Sequence, residues 1–217
     1  EQDALDTIDM VTGPKASVVT PSYTIDNFAT VQPLIDGMAA PNIKSTITSL
    51  SAFNTRYYNS PTGADSALWI KDRWTALAAG RSDITVQFFN HTWLQPSVIM
   101  TIQGTTEPGE IVILGGHQDS IRSGCSASTT CQTLTAPGAD DDASGIASLT
   151  EVIRVAMENN YHPAKTVTFM AYAGEEAGLL GSKAIATAYQ AAGMNVVGVL
   201  QLDMTNYKAP STDIAMI

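Results

Sequence analysis

Cysteine is nearly absent from this 217-residue chain: Cys125 and Cys131 are the only two, leaving room for at most one disulfide. Basic residues are scarce as well, 11 Lys and Arg against 21 Asp and Glu. The resulting net charge of −10 argues against nucleic acid or an anionic membrane as a partner. No apolar run approaches the roughly 20 residues of a membrane span. No basic n-region followed by an apolar h-region opens the sequence. The expectation is a soluble chain from which any signal peptide has been removed. A Gly-x-Ser-x-Gly elbow, a Gly-Lys-Ser/Thr phosphate loop and a His-Glu-x-x-His helix are all missing, so three common catalytic signatures do not apply.

What is present suits a globular domain: 44% hydrophobic and 15% charged residues, in a length that supports one full core. The charges it does have are concentrated. His117-Gln118-Asp119 follows the apolar run Ile111 to Gly116, and Asp140-Asp141-Asp142 comes next. Glu175-Glu176 follows Val167 to Ala173, and Asp203 follows Val196 to Leu202. Acids clustered beside buried strands need compensation. A divalent cation supplies it, since hard and borderline metals take Asp and Glu oxygens together with a His nitrogen.

Apolar periodicity predicts helices over Thr24 to Ala40, Ile43 to Phe53 and Thr62 to Ala79, the first two separated by Pro41-Asn42. In the third, Ala64, Leu68, Trp69, Trp74 and Leu77 are the candidate buried positions. Strands are expected at Ile84 to Phe89, Ser97 to Gln103 and Glu110 to Leu114, the last two forming a hairpin around Thr106-Glu107-Pro108-Gly109. Then come a helix over 143–159, with Ile146, Leu149, Ile153 and Met157 on one stripe, a strand from Thr166 to Ala173, a helix from Leu179 to Ala192 and a strand from Val196 to Leu202. This alternation predicts an α/β fold, a mixed and mainly parallel sheet sandwiched between helices. Residues 1–21 read as an extension or pro-segment remnant. Residues 22–217 read as one domain whose C-terminal part is absent, because Asp213 to Ile217 resembles a strand entering a core.

In such sheets ligands sit outside the carboxyl ends of the strands, where His117, Glu175, Glu176 and Asp203 fall. Asp141 precedes a helix, whose positive end favours a carboxylate. Two metals would need a bridging carboxylate and a shared water. Asp119 is placed to take the second N–H of a ligating His117. His91 and His162 lack acidic company and read as surface residues. For both glutamates to reach one site a turn is required, which Gly174 and Gly178 permit. One glutamate could then ligate while the other moves a proton; alone, the pair would read as a solvated helix start. Asp140-x-Asp142-x-Ser144-Gly145 with Glu151 approaches a calcium loop, but Pro137-Gly138 forbids the helix that should precede it. Cys125 and Cys131 favour a local disulfide over free thiols, and with it an oxidising compartment. Asn90-His91-Thr92 is a glycosylation triplet by pattern, common by chance and dependent on a eukaryotic source.

Gly115-Gly116-His117-x-Asp119-Ser120, Pro137-Gly138-Ala139-Asp140-Asp141-Asp142-Ala143-Ser144-Gly145, Tyr172-Ala173-Gly174-Glu175-Glu176-x-Gly178-Leu179 and Leu202-Asp203-Met204 together resemble the secreted bacterial leucyl aminopeptidases of metallopeptidase family twenty-eight. The likeness runs from about Asp26 onward and takes in Leu50 to Tyr58. It implies a zinc exopeptidase-like fold with two zinc ions, His117 and Asp203 on different ions, Asp141 bridging them and Glu176 completing the ligands. It makes Glu175 the general base and acid, Asp119 the residue orienting His117, and Met204 a neighbour of an apolar pocket for the first substrate side chain. Peptides with a free N-terminus are the implied substrates, and the protein is expected to be secreted and monomeric. A final histidine ligand belongs to a later segment in that family, and the Cys125–Cys131 loop looks like a short insertion. Rival readings are a carboxypeptidase, for which only Arg122 and Lys183 offer a cation, a one-metal glutaminyl cyclase, and a non-catalytic truncated module.

Overall fold

The computed structural model describes residues 27–125 and 129–207, so residues 1–21 and the strand expected at Asp213 to Ile217 lie outside the described residues. Helix α1 is Phe28–Asp36 and α2 is Ala40–Ser51. Pro41 does not separate them; it lies in the first turn of α2, where its missing N–H is no loss. The break falls instead at residues 37–39, where Ala39 N–H donates to Glu151 Oε1 at 2.7 Å. Helix α3, Pro61–Leu77, starts on a Ser60 cap whose Oγ accepts from Gly63 N–H. Its inward stripe is Ala67, Ile70 and Trp74, with Trp69 and Leu77 partly buried. Leu68, expected inside, is 49% exposed because it lies one position off that stripe.

The strands are β1 (Ile84–Phe89), β2 (Ser97–Ile102), β3 (Glu107–His117), β4 (Lys165–Tyr172) and β5 (Asn195–Gln201). Helix α4 (Ala143–Glu158) joins β3 to β4, and α5 (Leu180–Ala191) joins β4 to β5. The single sheet runs β1-β2-β4-β3-β5. The pairs β3–β4 and β3–β5 are parallel, while β2 lies antiparallel to both β1 and β4.

The expected hairpin between β2 and β3 does not form, because β4 lies between them. The segment joining them crosses the start of β4. Thr105 N–H bonds to Pro163 O, Thr106 and Glu107 N–H to Ala164 O, and Gly104 N–H to Thr166 Oγ1. Those bonds replace the turn a hairpin would have closed. The antiparallel hairpin is β1–β2, with Ile84 opposite Ile102 and Phe89 opposite Ser97.

One face of the sheet buries Val98, Met100, Ile102 and Phe169 against Leu50, Ile70, Trp74, Ile146, Leu149 and Ile153, with Met157 packed at the margin. The other face buries Ile99, Ile111, Ile113, Met170 and Tyr172 against Ile185 of α5. Helices therefore cover both faces, as the alternation of strands and helices predicts. Since α4 and α5 leave neighbouring strands for opposite faces, a crevice opens beyond the carboxyl ends of β3 and β4.

Candidate metal centre

His117 is the last residue of β3, in register with Tyr172 at the end of β4, so both strands deliver their following loops to that crevice. The imidazole is buried. Its Nε2 lies 2.8 Å from Asp141 Oδ1 and 3.9 Å from Asp203 Oδ1. One ligand atom from each of His117, Asp141 and Asp203 lies within 4.8 Å of the others. Zinc bonds of about 2.0–2.2 Å to nitrogen and oxygen place neighbouring ligand atoms about 3–4 Å apart, so the set fits a cation after small adjustments. The ligand atoms of His117, Asp141 and Asp203 thus gather around one point, a spacing compatible with a single ion or with two ions sharing Asp141.

His117 Nδ1 points at Asp119, 3.1 Å from its main-chain oxygen and 3.4 Å from its carboxylate. The Asp119 carboxylate also accepts the N–H groups of Glu175, at 3.0 Å, and Glu176, at 3.2 Å. Asp119 thus ties the glutamate turn to the imidazole. The turn itself needs left-handed backbone, supplied by Gly174 (φ 66°), Gly178 (φ 100°) and Leu179 (φ 60°). Glu176 does not join the converging ligand set among the described residues.

Asp142 is the residue sequence reasoning left without a role. It caps α4 by accepting Gly145 N–H at 2.9 Å, and it takes His117 N–H at 3.0 Å and Met204 N–H at 3.3 Å. Ser144 Oγ accepts Thr205 N–H, and Asp140 Oδ1 accepts Asn206 N–H. Three successive amides after Asp203 are therefore docked on the acidic loop. Met204 is half exposed with φ 50°, beside Asp203. An aspartate immediately before a helix with an apolar stripe was the visible signal for the cap.

Arg56, whose role the sequence also left open, lies fully buried beneath these loops. Burial lowers its pKa to about 10, against the opposing fields of Asp119, Asp142, Asp141 and Glu176. Burial disfavours a charged His117, but its hydrogen bonds to Asp119 and Asp141 outweigh that and hold the ring well above its usual pKa. The same bond to His117 lowers Asp141. Burial raises Asp203 and Glu175, takes Asp142 to about 7, and takes Glu176 to about 8 with help from Asp141 and Asp119. Raised carboxylates crowded around one imidazole are what a bound cation relieves.

The remaining histidines are remote. His162 is exposed, bonded to Asp83 and Arg81. His91, expected at the surface, is half-buried: it stacks on Trp93 at 4.3 Å and bonds Ser97 Oγ at 2.8 Å. Glu151 takes no part in a calcium loop; it lies buried in α4, paired with Arg154. Cys125 and Cys131 form the expected disulfide.

Residues 97–217 match the model of Peptidase family M28. Leucine aminopeptidase 1 of Arthroderma otae is 39% identical over 95% of this chain and 57% of its own length. LapB of Legionella pneumophila, a solved structure, is 32% identical with TM-score 0.79, covering 97% of this chain and 54% of that one. A glutaminyl cyclase of Bacteroides thetaiotaomicron shares the fold alone, at 20% identity and TM-score 0.58 over 77% of this chain and 62% of that one. The chain spans about half the length of the curated relatives it matches. The family match takes in β2 onward, with His117, the acidic triplet, the glutamate pair and Asp203, so the chain belongs to peptidase family M28.

Proposed function

We propose that the whole protein, of which residues 22–217 form part of one catalytic domain, is a secreted two-zinc aminopeptidase. It would release N-terminal residues, preferably large apolar ones, from peptides. The observation that carries this reading is the meeting of His117, Asp141 and Asp203 beside a glutamate turn fixed by Asp119.

His117, Asp141 and Asp203 would hold zinc, with Glu176 as a further ligand. Zinc, when bound, supplies Lewis acidity that polarises a carbonyl and lets water attack near neutral pH. Glu175 takes the proton of the attacking water and returns it to the leaving amine. Its half-buried carboxyl, raised above the usual range by burial, suits a group that must do both. Asp119 holds that glutamate's amide and the His117 ring in fixed relation. The remaining acids receive the substrate's free amino group, and Met204 borders the pocket for the first side chain. Monomeric behaviour and an oxidising, extracellular setting complete the reading; the Cys125–Cys131 disulfide supports the latter.

Glu175→Gln in the whole protein should reduce turnover by at least about a hundredfold, the lower range for a lost general base. Zinc content should stay unchanged. Retained turnover would remove Glu175 from the role. A one-zinc glutaminyl cyclase is favoured by a different observation, that a single ligand set converges among the described residues. Zinc stoichiometry separates the two: two ions per whole protein support the peptidase, one the cyclase.

A further inference from the structure

Arg56 lies in the segment between α2 and α3, outside the sequence motifs that carry the ligands. Its guanidinium nevertheless touches the loops that hold them. Nε donates to Gln118 O at 2.8 Å, the carbonyl next to His117. Nη1 donates to Pro137 O at 2.5 Å and to Leu50 O at 3.2 Å, and Nη2 to Gly138 O at 2.9 Å. Pro137 and Gly138 lead directly into Asp140 to Asp142. The main chain adds a second tie: Arg56 N–H donates to Ser120 Oγ, whose hydroxyl donates to Ala136 O. Gly138 fits so closely that an added Cβ would lie 2.8 Å from Nη2 and 2.4 Å from Asp141 O.

All of these side-chain hydrogen bonds end on main-chain carbonyls, none on a carboxylate. The positive charge therefore sits under the acids without occupying their oxygens. A rigid planar fork can grip carbonyls from two loops at once, which a lysine ammonium on a flexible stem does not reproduce. Hydrogen bonds from a charged donor are stronger than neutral ones, so the grip is strong relative to ordinary loop contacts.

We infer that Arg56 is a positioning residue for the metal centre: its fork sets the spacing between His117 and Asp141, so that the ligand atoms are already together when the cation arrives. This rests on the zinc reading given above. The residue touches neither substrate nor metal, and its effect is on how much rearrangement binding requires.

The test is Arg56→Lys in the whole protein, which keeps the charge and loses the fork. Zinc affinity, measured by competition with a chromophoric chelator, should fall by about 10- to 100-fold, the range seen when outer partners of a metal site are removed. At a temperature where circular dichroism shows the metal-free variant folded, excess zinc should restore turnover, which separates weakened binding from a folding defect. Wild-type zinc affinity in a variant that merely melts earlier would overturn the assignment. Should that variant be unfolded without metal, zinc titration followed by circular dichroism supplies the second measurement: refolding should need about 10- to 100-fold more zinc than the parent protein does, and a parent-like midpoint would likewise overturn the assignment. The zinc reading fails separately, if the unsubstituted protein takes up no zinc at all.

Discussion

Asp142 shows how a single side chain can organise a site without being a ligand. Its carboxylate receives main-chain N–H groups from the end of β3, the first turn of α4 and the segment after β5. Asp142→Ala removes a helix cap, worth about 1 kcal/mol, and leaves buried amides unpaired at about 1–3 kcal/mol. A loss of roughly 2–4 kcal/mol in urea unfolding is expected. The acids around it also give a pH signature. A carboxyl whose pKa rises on folding binds more protons when folded, so its stabilisation is complete below about pH 4 and drains as pH rises through the folded value. Asp142 at about 7 and Glu176 at about 8 act this way, as does the raised His117; Asp141, held low, acts oppositely. Chelator-treated protein should therefore melt at a lower temperature at about pH 9 than at about pH 5, and saturating zinc should narrow that gap. An unchanged melting temperature would contradict the crowding of raised acids. At this scale the sequence marked His117 and Asp203 as candidates because they follow apolar runs, and Asp141 because it leads into a helix; the structure brings one ligand atom of each within 4.8 Å of the others. The linking roles of Asp142 and Arg56 were hidden, since each depends on partners far away in the chain.

Among the elements, the turn from β4 into α5 is the most constrained. Gly178 has open space where a Cβ would go, yet its φ of 100° is one that side-chain-bearing residues rarely adopt. Gly178→Ala should thus cost about 1–2 kcal/mol through backbone strain alone and displace Glu175 and Glu176. Denaturation midpoint and turnover should fall together; a midpoint equal to the parent's would mean the turn tolerates another conformation. Most elements were legible from periodicity: Ile146, Leu149 and Ile153 of α4 are buried as their spacing requires. Pairing was not. Strands β2 and β3 are apolar on both sides, so nothing in their own residues distinguishes a hairpin from two strands awaiting a third. The deciding bonds come from Pro163, Ala164 and Thr166, far along the chain.

At the level of the whole molecule, β5 is the last strand of the sheet among the described residues. It leaves Val196, Val197, Val199 and Leu200 between 36% and 64% exposed. An apolar edge of this kind invites pairing with another chain. Produced as these 217 residues, the protein should self-associate in a concentration-dependent manner by light scattering, and Val199→Lys should raise the monomer fraction. No change with Val199→Lys would mean association uses another surface. The insertion of β4 between two earlier strands also carries a temporal implication. During synthesis, β2 and β3 leave the ribosome with a gap between them that only residues 165–172 can fill. At about 5–20 residues per second, the interval from His117 to Tyr172 lasts roughly 3–11 s. Throughout it β3 lacks both of its sheet partners and β2 has only β1, so exposed apolar strand edges make this the interval in which chaperones matter most.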